Sequence, residues 1–392
     1  MVPVAKHSMK VLQTINSLSP YLGGPSSCTF DLMQGFASIG ANVDLLTLKS
    51  KLPKVDNLGH GCSWLHEVDN DSWGPLVFSN NLRKALLKSD YDVYHANTLW
   101  LYPSHITCKV AREKGRPYVL SPHGMLYPNA IIGKSSWKKK LVLPLFQRKD
   151  LELATVLHAT CEQEMGHLRN LGFKQPIAIV PNCLNIDAEY LKKSGEKRPE
   201  NSRRRFGFVG RVARIKNIDR IIAAWGKLGD KTKDSELVII GAGDDEYMTE
   251  LKRYVIDHNL KNVSFTGFLK GDALKAEVHK LDIQLLVSTS ENFGMVVPEA
   301  LINRVPVIAG WGTPWGELPE KSCGWWIDNS TDSIAETIDQ ALQLPESKRY
   351  EMGENGRRLV LEKYSMENVA RMMMAVYDYI LGTGTKTNDI YE

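Results

Sequence analysis

The chain has 392 residues, of which 43% are hydrophobic and 24% charged, and a net charge of +4. This length suits two or three domains with separate cores, and the composition is that of an ordinary soluble globular protein. So small a charge gives no argument for nucleic acid, and no apolar run of about 18 residues predicts a transmembrane helix.

The opening MVPVAKHSMK lacks the apolar stretch of a signal peptide and reads as a loose extension before Met9. Cys28, Cys62, Cys108, Cys161, Cys183 and Cys323 lie far apart with no CxxC pair. That pattern predicts reduced, mostly buried thiols and a cytoplasmic compartment. A first strand is expected at 10–15 (KVLQTI), followed by a loop rich in glycine and proline (SLSPYLGGP). Ser26 or Ser27 is placed to cap a helix that runs to Ile39 and stops at Gly40. The next strand is 43–47. This is a βαβ opening of Rossmann type without G-x-G-x-x-G, so Gly23 and Gly24 point to a close backbone approach to a ligand and not to a dinucleotide.

Strands follow at 92–95 (DVYH) and 118–121, the latter continued by Pro122, His123 and Gly124. His95 and His123 then stand at the ends of two strands and are expected to face one crevice. The DND and DYD triplets at 69–71 and 90–92 have the form of a metal-diphosphate motif, but neither follows a strand in a nucleotide-binding context. No metal site is expected there. Residues 134–149 carry six basic residues and no acidic one, interleaved with Trp137, several leucines and Phe146. Either this is a solvated basic face or it is an interfacial segment drawn to anionic lipid. Strands at 155–159 and 176–180 close the first half, and the polar, lysine-rich stretch that follows reads as a linker.

The second half repeats the alternation, with strands at 206–209, 236–240, 263–265, 283–287, 307–309 and 325–327. Just after its first strand comes GRVARIKN, in which Arg211 and Lys216 can bracket a diphosphate with a planar fork and a point charge. The segment 311–318 (WGTPWGEL) is expected either to border a sugar or to be a rigid loop with buried indoles. Residues 366–381 read as a final amphipathic helix whose methionines fill a core, and 382–392 as a disordered tail.

The most specific stretch is 283–310, IQLLVSTSENFGMVVPEALINRVPVIAG. It reads as a buried strand, a polar loop, a helix at 296–302 and the next strand. In open α/β sheets ligands bind beyond the carboxyl ends of strands. Glu291 stands in that loop, and the free N–H groups at the helix start near Gly294, Met295 and Val296 favour a phosphate. Glu299, separated from Glu291 by seven residues, is placed to accept hydrogen bonds from a ribose.

Glu291, Asn292, Phe293, Gly294, Glu299, Ala300 and Pro306 together resemble the donor-site signature of family 4 glycosyltransferases. Pro181-Asn182, SPHG at 121–124, Gly241-Ala242-Gly243 and Thr266-Gly267-Phe268 are similar to further elements of that family. The resemblance implies an α/β GT-B fold, two Rossmann-like domains facing each other across a cleft, with the C-terminal helix crossing back to the first. The domains would be an acceptor domain at 1–185, a linker at 186–203, a donor domain at 204–365, a helix at 366–382 and a tail at 383–392. It implies a retaining transfer of a sugar from a nucleotide sugar to a glycan or lipid-linked acceptor, as in bacterial surface polysaccharide synthesis, with no metal or other cofactor. Glu291 and His123 would be catalytic. Arg211, Lys216, Gly24, Gly294, Met295 and Val296 would hold the diphosphate, Glu299 the ribose, and Asn292 and Phe293 the donor sugar. Gly23 and His95 would lie on the acceptor side. The partners expected are the nucleotide sugar, the acceptor and an anionic membrane surface touched from the cytoplasmic side, with no nucleic acid. A sugar-nucleotide epimerase or a non-catalytic sugar-nucleotide-binding protein are the alternatives on the same fold.

Overall fold

The computed structural model describes residues 9–19, 21, 23–52, 54–128, 146–186, 191 and 203–392. The basic segment through residue 145, most of the expected linker and the first eight residues lie outside them. The chain divides into two compact units, Met1–Asn185 with Ser365–Glu392, and Ile186–Tyr364.

The first unit contains β1 (Val11–Thr14), β2 (Val43–Leu48), β3 (Leu65–Val68), β4 (Val93–Asn97), β5 (Tyr118–Ser121), β6 (Val156–Ala159) and β7 (Ile177–Ile179). They form a parallel sheet in the order β7-β6-β5-β4-β1-β2-β3. Successive side chains alternate between its faces. Leu12, Tyr94, Leu120 and Leu157 fill one core, while Val11, Val93, Val119 and Val156 fill the other. Both faces are covered, so the central strands read as continuous apolar runs. β3 was not expected: LHEV offers little apolar periodicity, and this strand is at best half-buried.

The second unit contains β8 (Arg204–Val209), β9 (Ser235–Ile240), β10 (Val263–Gly267), β11 (Ile283–Leu286), β12 (Val307–Gly310) and β13 (Gly324–Ile327). Their order, β10-β9-β8-β11-β12-β13, is all parallel and reverses direction between β8 and β11. This is the doubly wound arrangement whose ligand crevice lies at the reversal.

After the second unit the chain returns to the first. Helix Met366–Ile380 places Val369, Ala370, Met373, Val376 and Tyr377 in the core that β1, β4, β5 and β6 share. Their 3.6-residue spacing gives the helix one apolar face. It crosses helix Gly24–Ser38 at Gly35, where any side chain would collide with the Met366 carbonyl and the Ala370 methyl. Helix Gly24–Ser38 has no side-chain cap. Neither Ser26 nor Ser27, the two expected caps, serves as one, and Ser26 instead donates its hydroxyl to the Ser17 carbonyl. Beyond the final helix, β14 (Ile390–Tyr391) pairs antiparallel with β7 and buries Ile390. The expectation of a disordered tail is therefore corrected: the edge of the first sheet supplies backbone partners that a two-residue strand cannot signal by itself.

Candidate functional site

In the second unit the charged residues converge where the strand order reverses. After β8 the backbone runs through Gly210 to a single 3-10 turn, Arg214–Lys216, and Asn217 then takes a left-handed conformation to start helix Ile218–Leu228. Asn217 donates 2.7 Å to the Val287 carbonyl beyond β11, and its amide also contacts the Thr289 hydroxyl. The Thr289 N–H donates to the Ile215 carbonyl. These bonds latch the loop after β8 to the loop after β11 and bring Lys216 against Glu291, with which it forms an ion pair. Both side chains of the pair are more than four-fifths buried. Ser288 donates a further hydrogen bond to the Glu291 carboxylate.

The Glu291 backbone is fixed as well, because its N–H donates 2.8 Å to the Gly312 carbonyl. A side chain at Gly312 would strike the Ser288 and Thr289 carbonyls. Gly294 turns with φ +80°, and a side chain there would also crowd Leu286 and Glu291. Trp315, fully buried, donates its indole N–H to the Phe293 carbonyl and packs with Phe293 and Tyr364 beneath this loop. Phe293 is itself only 5% exposed. Its expected contact with a donor sugar is therefore corrected to a core role, in which its ring carries the loop from below. The WGTPWGEL segment divides in the same way: Trp315 is core, whereas Trp311 is 54% exposed.

Arg211 is exposed and has no ion pair among the described residues. Arg214, three residues on, pairs with Glu250 at 2.6 Å and lies over the Tyr247 ring. One arginine of the motif is thus occupied locally and the other is available. Helix Val296–Ile302 starts at Met295 and carries a half-buried Glu299, and the Val296 carbonyl accepts from Gln284 at 2.7 Å. Gly241 and Gly267 bridge each other, as do Val212 and Gly243. Gly241 and Gly243 each abut a carbonyl of the loop after β8, so neither has room for a side chain.

In the first unit the strand ends are neutral. His95 is 1% exposed, with Nδ1 2.7 Å from the Tyr377 hydroxyl and Nε2 2.5 Å from Ser121 Oγ. His95 and His123 do line one small cavity, but both ring nitrogens of His95 are engaged inside the unit, one by a helix that follows it by 282 residues. Ser121 Oγ lies 2.6 Å from His158 Nδ1, and His158 Nε2 lies 2.8 Å from the Val180 carbonyl. His123, with φ +52°, is only partly buried, and its Nε2 lies 2.9 Å from Asn97 Oδ1. Burial pushes the pKa of His123 down to about 3, with the His158 ring adding to it, and that of His158 down to about 4. Burial also holds His95 well below its ordinary value. The turn at His123 is secured by Glu164, whose carboxylate accepts from the N–H groups of Gly124 and Thr160. Gly23 and Gly24 have open space where a side chain would stand, and Gly23 takes φ +75°. Gln13, Tyr377 and Glu164 were not singled out for the site by the sequence, because each acts through a partner remote in the chain.

The aspartate triplets have local roles. Asp71 accepts from the backbone of Asn80 and Asn81 at the start of helix Asn80–Lys88, and Asp69 pairs with Lys49. Asp90 and Asp92 pair with Arg116. Among the described residues no group of three His, Cys, Asp or Glu could hold a metal ion.

Two family models match the chain. A glycosyl transferase 4-like domain covers residues 23–183, and glycosyl transferases group 1 covers residues 191–359. N-acetyl-alpha-D-glucosaminyl L-malate synthase of Bacillus anthracis is 29% identical over 384 residues, covering 92% of this chain and 95% of the relative. An uncharacterized glycosyltransferase of Methanocaldococcus jannaschii is 26% identical over 381 residues, covering 91% and 94%. The crystal structure of Anabaena HepE in complex with UDP and glucose matches 95% of this chain and all of its own, with a TM-score of 0.70 at 16% identity, and so shares the fold. With both halves matched by glycosyltransferase models and the relatives spanning nearly the whole chain, the protein belongs to the family 4-like glycosyltransferases of GT-B fold.

Proposed function

We propose that the enzyme is a retaining glycosyltransferase that moves a sugar from a nucleotide diphosphate donor to a glycan or lipid-linked glycan acceptor in bacterial surface polysaccharide synthesis. The observation that carries this reading is the Lys216–Glu291 pair at the sheet reversal, with exposed Arg211 in the same loop as Lys216. The HepE structure with UDP and glucose supports a nucleotide-sugar donor.

In this reading Arg211 and Lys216 neutralise the departing diphosphate, without a metal, and the backbone at Gly24, Gly294, Met295 and Val296 approaches it. Glu299 takes the ribose. Asn292 and Glu291 take the donor sugar, and Gly23 borders the acceptor. The bond from the anomeric carbon to the diphosphate breaks, and a bond from the same carbon to the acceptor oxygen forms on the same face. The acceptor's proton passes to the leaving phosphate oxygen, so no side chain need act as free base. The protein contributes position and preorganised charge. Lys216 and Glu291 satisfy each other, because a buried charge without a partner is costly. A bound donor lets them separate their tasks, Lys216 toward phosphate and Glu291 toward the sugar ring, where positive charge develops.

The test is a thermal-shift screen with UDP, GDP and ADP sugars, followed by acceptor assays with the stabilising donor. One donor class should raise the melting temperature and turn over only with acceptor present. Stabilisation by none of them, or donor consumption without acceptor, overturns the reading. We further propose that the enzyme works at the cytoplasmic face of a membrane. No helix among the described residues is long and apolar enough to cross one, and the claim rests on the basic composition of 134–149. The protein should sediment with anionic but not neutral liposomes, less so as salt rises or when Lys138, Lys139 and Lys140 become glutamate. A wild-type protein that stays in the supernatant with anionic vesicles at low salt removes the membrane claim.

A further inference from the structure

We infer that a one-directional chain of hydrogen bonds, ending at the Val180 carbonyl, holds His123 as the Nε2–H tautomer, and that Tyr377 of the C-terminal helix is a positioning residue for it. The direction follows from a group that can only accept. Val180 offers a carbonyl to His158 Nε2 at 2.8 Å, so the proton of neutral His158 is on Nε2 and Nδ1 accepts. Ser121, 2.6 Å from that Nδ1, must donate to it, and its oxygen is left to accept from His95 Nε2 at 2.5 Å. His95 is then protonated on Nε2, so its Nδ1 accepts from the Tyr377 hydroxyl at 2.7 Å. The Tyr377 oxygen in turn accepts from Gln13 Nε2 at 3.0 Å. Gln13 Oε1 accepts from Asn97 Nδ2 at 3.0 Å.

Asn97 Nδ2 also lies 3.3 Å from the Thr14 carbonyl, a longer contact than the 3.0 Å bond to Gln13 that agrees with the same orientation of the amide. Asn97 Oδ1 therefore faces His123 Nε2 at 2.9 Å, and His123 must donate there. Reversing any one member would leave two acceptors or two donors face to face in a buried site, a penalty that burial makes large. The result is a partly exposed, neutral imidazole whose Nδ1 is its acceptor and has no hydrogen bond to a described residue. Such a ring recognises a ligand hydroxyl, as on a pyranose, and not an anionic oxygen. The functional weight of this assignment rests on the reading, implied by the family resemblance of SPHG, that His123 is catalytic and touches the transferred sugar; the tautomer itself does not.

The experiment is long-range proton–nitrogen NMR on the full-length protein with labelled histidine at neutral pH, His123 being assigned by loss of its signals in His123→Gln. Wild type should show a pyrrole-type Nε2 and a pyridine-type Nδ1 at His123. In Tyr377→Phe, which deletes one hydroxyl some distance from that ring, His123 should become a mixture of tautomers. Gln13→Met interrupts the same chain and serves if Tyr377→Phe does not fold. A wild-type His123 protonated on Nδ1, or a single unchanged tautomer in both variants, overturns the relay. Turnover of the donor found by thermal shift is measured in His123→Ala in parallel. Unchanged turnover there, with the tautomer as stated, overturns the sugar contact and leaves the relay standing.

Discussion

Beyond the carboxyl ends of β8 and β11 the side chains that meet are charged, Lys216 with Glu291 and Arg211 nearby. Along and beyond β1, β4, β5 and β6 they are neutral: Gln13, His95, Asn97, Ser121, His123 and His158. The two sheets share an all-parallel core and a reversal of strand order, so the difference lies in the side chains placed on it. In the proposed function the charged set meets a diphosphate, whose recognition needs cations. The neutral set spends its hydrogen bonds on itself and leaves one imidazole nitrogen to meet a hydroxyl. One scaffold thus carries two kinds of polar chemistry, and each can be broken separately.

The largest effect is expected at the charged end. Glu291→Gln keeps the shape of the side chain and removes its charge, and should lower kcat by about 100- to 1000-fold, the loss typical of one preorganised electrostatic contact. Glu299→Gln should act mainly on KM for the donor, since a ribose contact is the same in ground and transition state. Steady-state kinetics on both variants decides this, and equal losses in both parameters for both residues would erase the division between them. Next in size, Arg211→Ala and Lys216→Ala should each weaken nucleoside diphosphate binding by about 1.5–3 kcal/mol. Lys216→Ala also strands a mostly buried Glu291 and should lower the melting temperature, which Arg211→Ala should not. Calorimetry with unchanged affinity in both variants would break the charged half of the contrast.

The smallest effect near neutral pH belongs to the neutral end. The His158 pKa is about 4 in the folded chain, against ~6.5 for an unperturbed histidine. The unfolded chain therefore binds the proton first as pH falls. Stability due to the neutral ring is complete above about pH 6.5 and is lost as pH drops through about 4. Asp31 works in the opposite sense: burial raises its pKa to about 7, so its contribution is present at low pH and is lost as pH rises toward 7. The histidine term is isolated by comparing urea midpoints of wild type and His158→Gln from pH 7 to pH 4, where the variant should lose stability less steeply. Parallel curves would show that the ring takes up no proton in that range.

Much of the second unit was legible. The run at 283–287 is apolar because β11 is covered on both faces, and Gly294 is required both by its positive φ and by crowding from Leu286 and Glu291. The helix at Met366–Ile380 announced itself by its period. What the sequence did not disclose was orientation. His95 and Phe293 have the residue types of ligand contacts, but one faces Tyr377 and the other Trp315, and both are sealed by those neighbours. Gln13 meets Tyr377 across 364 residues, a separation that local pattern does not register. The short edge strands β3 and β14 were missed because their pairing is supplied by neighbours and not by their own periodicity.

The return of the chain to its first unit also sets an order of biosynthesis. Val369, Met373 and Tyr377 complete a core that Val11, Val93 and Val119 begin, yet they are translated only after the whole of Ile186–Tyr364. The second unit is continuous and can close as it leaves the ribosome. The first must wait, with one face of its sheet open and His95 lacking its tyrosine, until residues 366–391 emerge. Domains generally fold as units during synthesis, and exposed apolar faces and unpaired strand edges invite aggregation meanwhile. The unit made first is therefore the one finished last, and the helix that completes its core also brings the hydroxyl that joins its relay.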